Sequence, residues 1–170
     1  MKNEIEVTFN ELVGKPLYSI GRTTNLVWLL FGEPFTKKNI IGDTRTLAEY
    51  SLHIQCAWRI VQKDKIIIAS GDLYSPNSNV KLENFNWDNI GSSEFDSKAS
   101  SLKKIMKDIR NVQSIEADNI GGLKICFSNN YLLEVFPNES GNDKESWRFF
   151  SNVSSSPYLV MCGGSIEENE

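Results

Sequence analysis

Apolar residues recur at every second position along most of this chain, and at every third or fourth position in only one stretch. The clearest alternation lies in residues 47–61. There Leu52, Ile54, Cys56, Trp58 and Ile60 fall on one face of a strand, and Ser51, His53, Gln55, Ala57 and Arg59 fall on the other. The stretch reads as one continuous strand. Residues 17–20 and 26–31 are apolar runs split by a polar break, the pattern of a β-hairpin. A tight polar turn at 62–65 leads into a β-branched strand from Ile66 towards Leu73 and Tyr74. Further strands are expected at 112–117, 123–127, 131–136, 146–150 and 158–162, with Asn129 and Asn130 suited to a turn with positive φ. Residues 33–46, 76–91, 137–144 and 151–157 read as connections, the second anchored by Phe85 and Trp87.

The exception to period two is helical. Phe95, Ala99, Leu102, Ile105, Met106 and Ile109 fall on one helix face, and Ser93 with Asp96 has capping-box spacing. The pattern predicts a helix over about 93–110, with Lys103, Lys104, Lys107 and Arg110 complementing the dipole of its last turns. Thr8 and Glu11, followed by Gly14 and Pro16, predict a short helical turn. The expected class is α+β: a single domain over 1–166, mostly antiparallel sheet, with about eight to ten strands against one long amphipathic helix. An acidic tail at 167–170 follows it. Parallel winding would need more crossover helices than the pattern offers.

The flanks of the helix look alike. Residues 17–20 parallel 112–115, 26–31 parallel 122–127, 58–61 parallel 147–150, and 66–72 parallel 159–165, in the same order. That series is compatible with a duplicated β unit, 12–75 and 108–166, joined by the loop 76–92 and the helix. Antiparallel domains also repeat strand–turn–strand patterns without duplication.

Composition narrows the class of protein. The 170 residues are 40% hydrophobic and 24% charged, which excludes disorder, collagen and coiled coil as global descriptions. A net charge of −4 offers no basic footprint for nucleic acid. The longest apolar run, 26–31, is too short to span a bilayer, and the first residues lack the apolar core of a signal peptide. Three widely spaced cysteines and one histidine cannot make a zinc site of usual form. The expectation is a cytoplasmic, soluble protein with reduced cysteines, no metal, no cofactor and no membrane partner.

Two sets of residues could carry chemistry. The stripe Glu49, Ser51, His53, Gln55 and Arg59 could line a cleft, with His53 as base and Arg59 as anion clamp, or could be the wet face of a sheet. Cys56 points away from His53, so they form no dyad within the strand. The dipeptides Trp58-Arg59 and Trp147-Arg148 each send an aromatic to the core and a guanidinium to the surface. Arg59 and Arg148 could converge on an anion, or pair with carboxylates such as Asp72 or Glu134. Trp28 and Trp87 are expected in or beside loops. No phosphate loop, nucleophile elbow or metalloprotease motif is present. No catalytic residue is therefore assigned. The binding candidates are His53, Gln55, Arg59 and Arg148. The expected function is a non-catalytic interaction protein with a protein partner. The alternatives are a small-molecule or anion-binding domain, or a hydrolase or isomerase, using the His53/Gln55/Arg59 face.

The strings S-L-H-I-Q-C-A-W-R-I (51–60), I-I-A-S-G-D-L-Y (67–74), G-G-L-K-I-C-F-S-N-N-Y-L-L-E-V-F-P (121–137) and W-R-F-F (147–150) resemble a group of uncharacterised small bacterial cytosolic proteins. The resemblance implies a cytosolic bacterial origin and brings no activity, cofactor or catalytic residue. By analogy with other small acidic bacterial domains, it implies a toxin-neutralising immunity protein or an accessory subunit.

Overall fold

The computed structural model describes residues 1–38, 42–105, 111–141 and 143–167. Among these lie two helices, α1 (Lys2–Phe9) and α2 (Glu94–Ile105), and eleven strands. The strands are β1 (Leu17–Thr23), β2 (Leu26–Lys38), β3 (Thr44–Ile54), β4 (Ala57–Gln62), β5 (Lys65–Ala69), β6 (Val112–Ala117), β7 (Leu123–Phe127), β8 (Tyr131–Phe136), β9 (Glu145–Ser151), β10 (Tyr158–Cys162) and β11 (Ser165–Ile166). They form two antiparallel sheets, ordered β1-β2-β3-β9-β10-β11 and β5-β4-β8-β7-β6. The α+β class with antiparallel sheets agrees with the sequence pattern.

Read from its other edge, the second sheet runs β6-β7-β8-β4-β5, which matches β1-β2-β3-β9-β10 place for place. The first half of the chain supplies the meander β1–β3 to one sheet and β4 and β5 to the other; the second half supplies the meander β6–β8 to one sheet and β9–β11 to the other. Residues 17–20, 26–31, 58–61 and 66–69 lie in β1, β2, β4 and β5, and residues 112–115, 123–127, 147–150 and 159–162 lie in β6, β7, β9 and β10.

The inner faces share one core. Ile20, Leu29, Leu52, Ile54, Trp147 and Phe149 come from the first sheet, and Trp58, Ile60, Ile125, Leu133 and Val135 from the second. Phe31 and Phe127 stack across the gap with centroids 6.3 Å apart. Helix α1 has only two buried residues, Ile5 and Phe9, one turn apart. Phe9 stacks on Phe149 at 4.2 Å and meets Trp147 edge-on at 5.4 Å. So small an apolar face left this helix beyond the reach of periodicity, which predicted only the turn that follows it, seen here as a 3₁₀ turn at Asn10–Leu12.

Helix α2 starts where the capping box placed it. Ser93 Oγ accepts from Asp96 N–H at 3.3 Å, and Asp96 Oδ2 accepts from Ser93 N–H at 3.1 Å. Phe95, Ala99 and Leu102 are buried, and Phe95 meets Trp58 edge-on at 6.1 Å. The described helix has 12 residues. The rest of the expected helix, 106–110, with Met106, Lys107, Ile109 and Arg110, lies outside the described residues.

Two expectations are corrected. The segment 33–46, read as a loop, is largely strand, because β2 and β3 continue as a ribbon pairing Pro34 with Ala48 and Lys38 with Thr44. A bulge between Phe31 and Pro34 introduces this extension. Gly32 sits in it at φ +88°, where a Cβ would lie 2.2 Å from Glu49 Oε2. That carboxylate accepts Glu33 N–H at 3.0 Å and Lys15 Nζ at 2.9 Å, which replaces the ladder bond lost at the bulge. The second correction concerns 47–61, which is two strands rather than one. The chain turns a corner at Gln55 and Cys56, whose N–H groups both donate to Ser146 O, at 2.9 and 3.2 Å. Strand β3 ends in the first sheet and β4 begins in the second.

Candidate functional site

The outer face of the first sheet follows from its register. Trp28 stands opposite His53, and His53 opposite Arg148; one row along, Leu30 stands opposite Ser51, and Ser51 opposite Phe150. Bulky side chains on β2 and on β9 therefore flank small or polar ones on β3. The result is a groove of about 630 Å³, within the range of small-molecule sites. Leu26, Trp28, Leu30, Leu47 and Phe150 give it apolar walls, and Ser51, His53 and Asn152 give it polar points. It extends from Thr23 at the β1–β2 turn to Arg45 at the start of β3.

Local contacts fix these walls. The Trp28 indole packs over Gly21, where a Cβ would come within 2.2 Å of its Cζ2. Asn152 Nδ2 donates to Ala48 O at 2.7 Å and to Ser51 Oγ at 2.8 Å, so the groove floor is tied to the strand end. His53 meets Phe150 edge-on, with centroids 5.0 Å apart. Burial, and after it the nearby Arg148 charge, lowers the His53 pKa against the weaker pull of Glu145. Among the described residues no hydrogen bond reaches its imidazole. His53 is thus a half-buried neutral ring with two nitrogens to offer, and no nucleophile is held against it.

Three of the four candidate residues come together, and the fourth does not. Gln55 and Arg148 both hydrogen-bond Glu145; Arg148 Nε lies 2.8 Å from Glu145 Oε1, and its Nη2 closes a second contact. The Arg148 partner and the Gln55 amide hold the Glu145 pKa below its usual range against burial. Arg59 lies in the other sheet, where its Nε is 2.6 Å from Glu134 Oε2. The two arginines therefore do not converge on one anion, because the corner at Gln55 and Cys56 separates them. Cys56 is a free thiol whose pKa burial pushes up to about 12, which leaves it inert as a nucleophile. Trp58 and Trp147 are in the core as expected. Trp28 lies in β2, two residues after its start at the β1–β2 turn.

The matching places in the second sheet provide an internal comparison. The row Gly21, Trp28, His53, Arg148 of the first sheet corresponds to Glu116, Lys124, Glu134, Arg59 of the second. There, opposite charges alternate across the strands, the ordinary composition of a solvated face. The same row in the first sheet holds a glycine, a tryptophan and a neutral histidine, with Arg148 at its end as the one charge.

Sequence reasoning found His53 and Ser51 but missed Trp28, Leu30, Arg45, Phe150 and Asn152. The signal for Trp28 and Leu30 was the unbroken apolar run 26–31, which marks a strand apolar on both faces.

A second, polar cavity of about 320 Å³ has Asn25, Gln55, Glu139, Lys144, Glu145 and Ser146 in its lining. The Ser146 hydroxyl is buried with no hydrogen-bond partner among the described residues. No group of three or more His, Cys, Asp or Glu among the described residues could hold a metal ion. None of the described helices is long and apolar enough to cross a membrane.

The fold and the groove describe an α+β protein of two antiparallel sheets with a half-apolar cleft on one outer face. Compared with known proteins, the chain matches no family model, no curated protein and no solved structure.

Proposed function

We propose that this protein works by binding, not by turnover, and that it takes an apolar or aromatic small molecule into the groove of the first sheet. The observation that carries this reading is the departure of the row Trp28, His53, Arg148 from the charge ladder in the matching row of the second sheet. An outer sheet face facing only water has no need of Leu26, Trp28, Leu30 and Phe150 around a recess. The pairing of each carboxylate or arginine near His53 with another side chain favours a binding site over a catalytic one.

The test is titration with the neutral probe N-phenyl-1-naphthylamine, followed by its fluorescence. Saturable one-to-one binding is expected, weakened at least about tenfold by Leu47→Asp, which places a charge in the apolar wall. Absence of saturable binding, or equal binding by that variant with unchanged circular dichroism, would refute the groove as the seat.

A protein partner is the second reading, as for a toxin-neutralising or accessory protein. It is favoured by Leu82 and Ile90 on the long connection before α2, which are 77% and 75% exposed. Co-elution with the purified product of an adjacent gene, lost in Leu82→Asp with Ile90→Asp, would support it. Separate elution would count against it.

A further inference from the structure

Charge is distributed unevenly along the groove. Arg45 is the one charged residue in its lining. Directly across the ribbon, and on the same face, stands Lys37. Like charges directly opposite each other in an antiparallel pair are destabilising unless something compensates them. Neither cation forms an ion pair with a described residue. The nearest carboxylate inward on the same face of β3, Glu49, is already held by Lys15 and by Glu33 N–H. Asp43, which precedes β3, is the one carboxylate in the chain between Lys37 and Arg45. No carboxylate lines the groove itself.

Building on the groove-binding reading, we infer that the ligand is a small organic anion, with its acid group at Arg45 and Lys37 and its apolar body between Trp28 and Phe150. The guanidinium of Arg45 suits a carboxylate, sulfonate or phosphate, whose oxygens can take two parallel N–H donors. Leu47 lies between the cationic end and the apolar walls, so the ligand's charged and apolar parts meet their complements in one orientation. The neutral imidazole of His53 adds a donor or acceptor along the body and does not compete for the acid group.

Two probes separate this inference from the reading beneath it. 8-Anilinonaphthalene-1-sulfonate is N-phenyl-1-naphthylamine with an added sulfonate. The wild-type protein should bind the sulfonate at least about tenfold more tightly at low salt. Arg45→Gln with Lys37→Gln should bring the sulfonate to within about threefold of the neutral probe measured on the same variant. The sulfonate's advantage should also shrink as ionic strength rises from about 0.02 to about 0.5 M. Equal binding of the two probes by wild type, or an advantage that survives the double substitution, overturns the anion assignment and leaves the groove reading intact. Failure of both probes to bind overturns both.

Discussion

The guanidinium of Arg22 lies edge-on against the carboxylate of Asp96, with Nε 2.8 Å from Oδ1 and Nη2 2.8 Å from Oδ2. The Arg22 side chain is 1% exposed, and the pair ties strand β1 to the first turn of α2. Arg22 also donates to Thr24 O and Asn89 O, at 3.2 and 3.0 Å, so one side chain fixes the hairpin turn, the long connection and the helix start. Burial alone would raise the Asp96 pKa. Hydrogen bonds from Arg22, Ser93 and Gly91 outweigh it and hold the carboxyl well below the usual range. Removing one partner of such a pair strands the other charge in a dry site. Asp96→Asn is expected to cost about 3 kcal/mol in urea unfolding at pH 7. Because the folded-state pKa is depressed, the wild-type contribution is present above the ordinary carboxylate pKa near 4 and is lost as pH falls below it. The substituted protein should show a flatter acid limb, and an unchanged limb would count against the pair as its origin.

Trp58 and Trp147 hold the two sheets from matching strands. Trp147 also donates from Nε1 to Gly121 O at 2.8 Å. Replacement of either by Ala is expected to cost about 3–5 kcal/mol, the range for large aromatic truncation. Chemical denaturation placing either variant within about 1 kcal/mol of wild type would contradict core packing at that site.

His53 is the single histidine, so its ring protons can be followed without ambiguity by proton NMR. Its pKa is expected below the ordinary 6.5, chiefly because burial disfavours the charged ring. The unfolded chain then binds the proton more readily than the folded one. The stability contribution of the neutral ring is complete above the ordinary value and falls as pH drops through the folded pKa. His53→Gln should flatten this slope. A measured pKa at or above 6.5 would mean that the ring is hydrated rather than held in the groove.

Gly21 decides the position of the Trp28 wall. A methyl group there would stand 2.2 Å from Cζ2, so the indole has to move. Gly21→Ala is expected to destabilise by about 1–3 kcal/mol, as overpacking does, and to weaken N-phenyl-1-naphthylamine binding by about fivefold or more. Unchanged probe affinity would remove Trp28 from the binding wall.

Periodicity in the chain determined the class and nearly every strand, because alternation records which side chains face a core, and both sheets face the same one. That success explains its main error. Leu52 and Ile54 point inward from the first sheet, and Trp58 and Ile60 point inward from the second. The alternation runs through the corner at Gln55 and Cys56 without a change of phase, so no one-dimensional pattern reveals that the chain changes sheets there. The capping box of Ser93 and Asp96 was legible because both partners lie within one turn. The groove was not, since it depends on Trp28, Ser51 and Phe150 standing side by side on three strands, a relation set by register between segments far apart in sequence. For the same reason the sequence could nominate His53, Gln55, Arg59 and Arg148 as polar, outward-facing residues. Only the pairing of β3 with β9, and of β4 with β8, decided that Arg148 belongs beside His53 while Arg59 faces Glu134 on the other sheet.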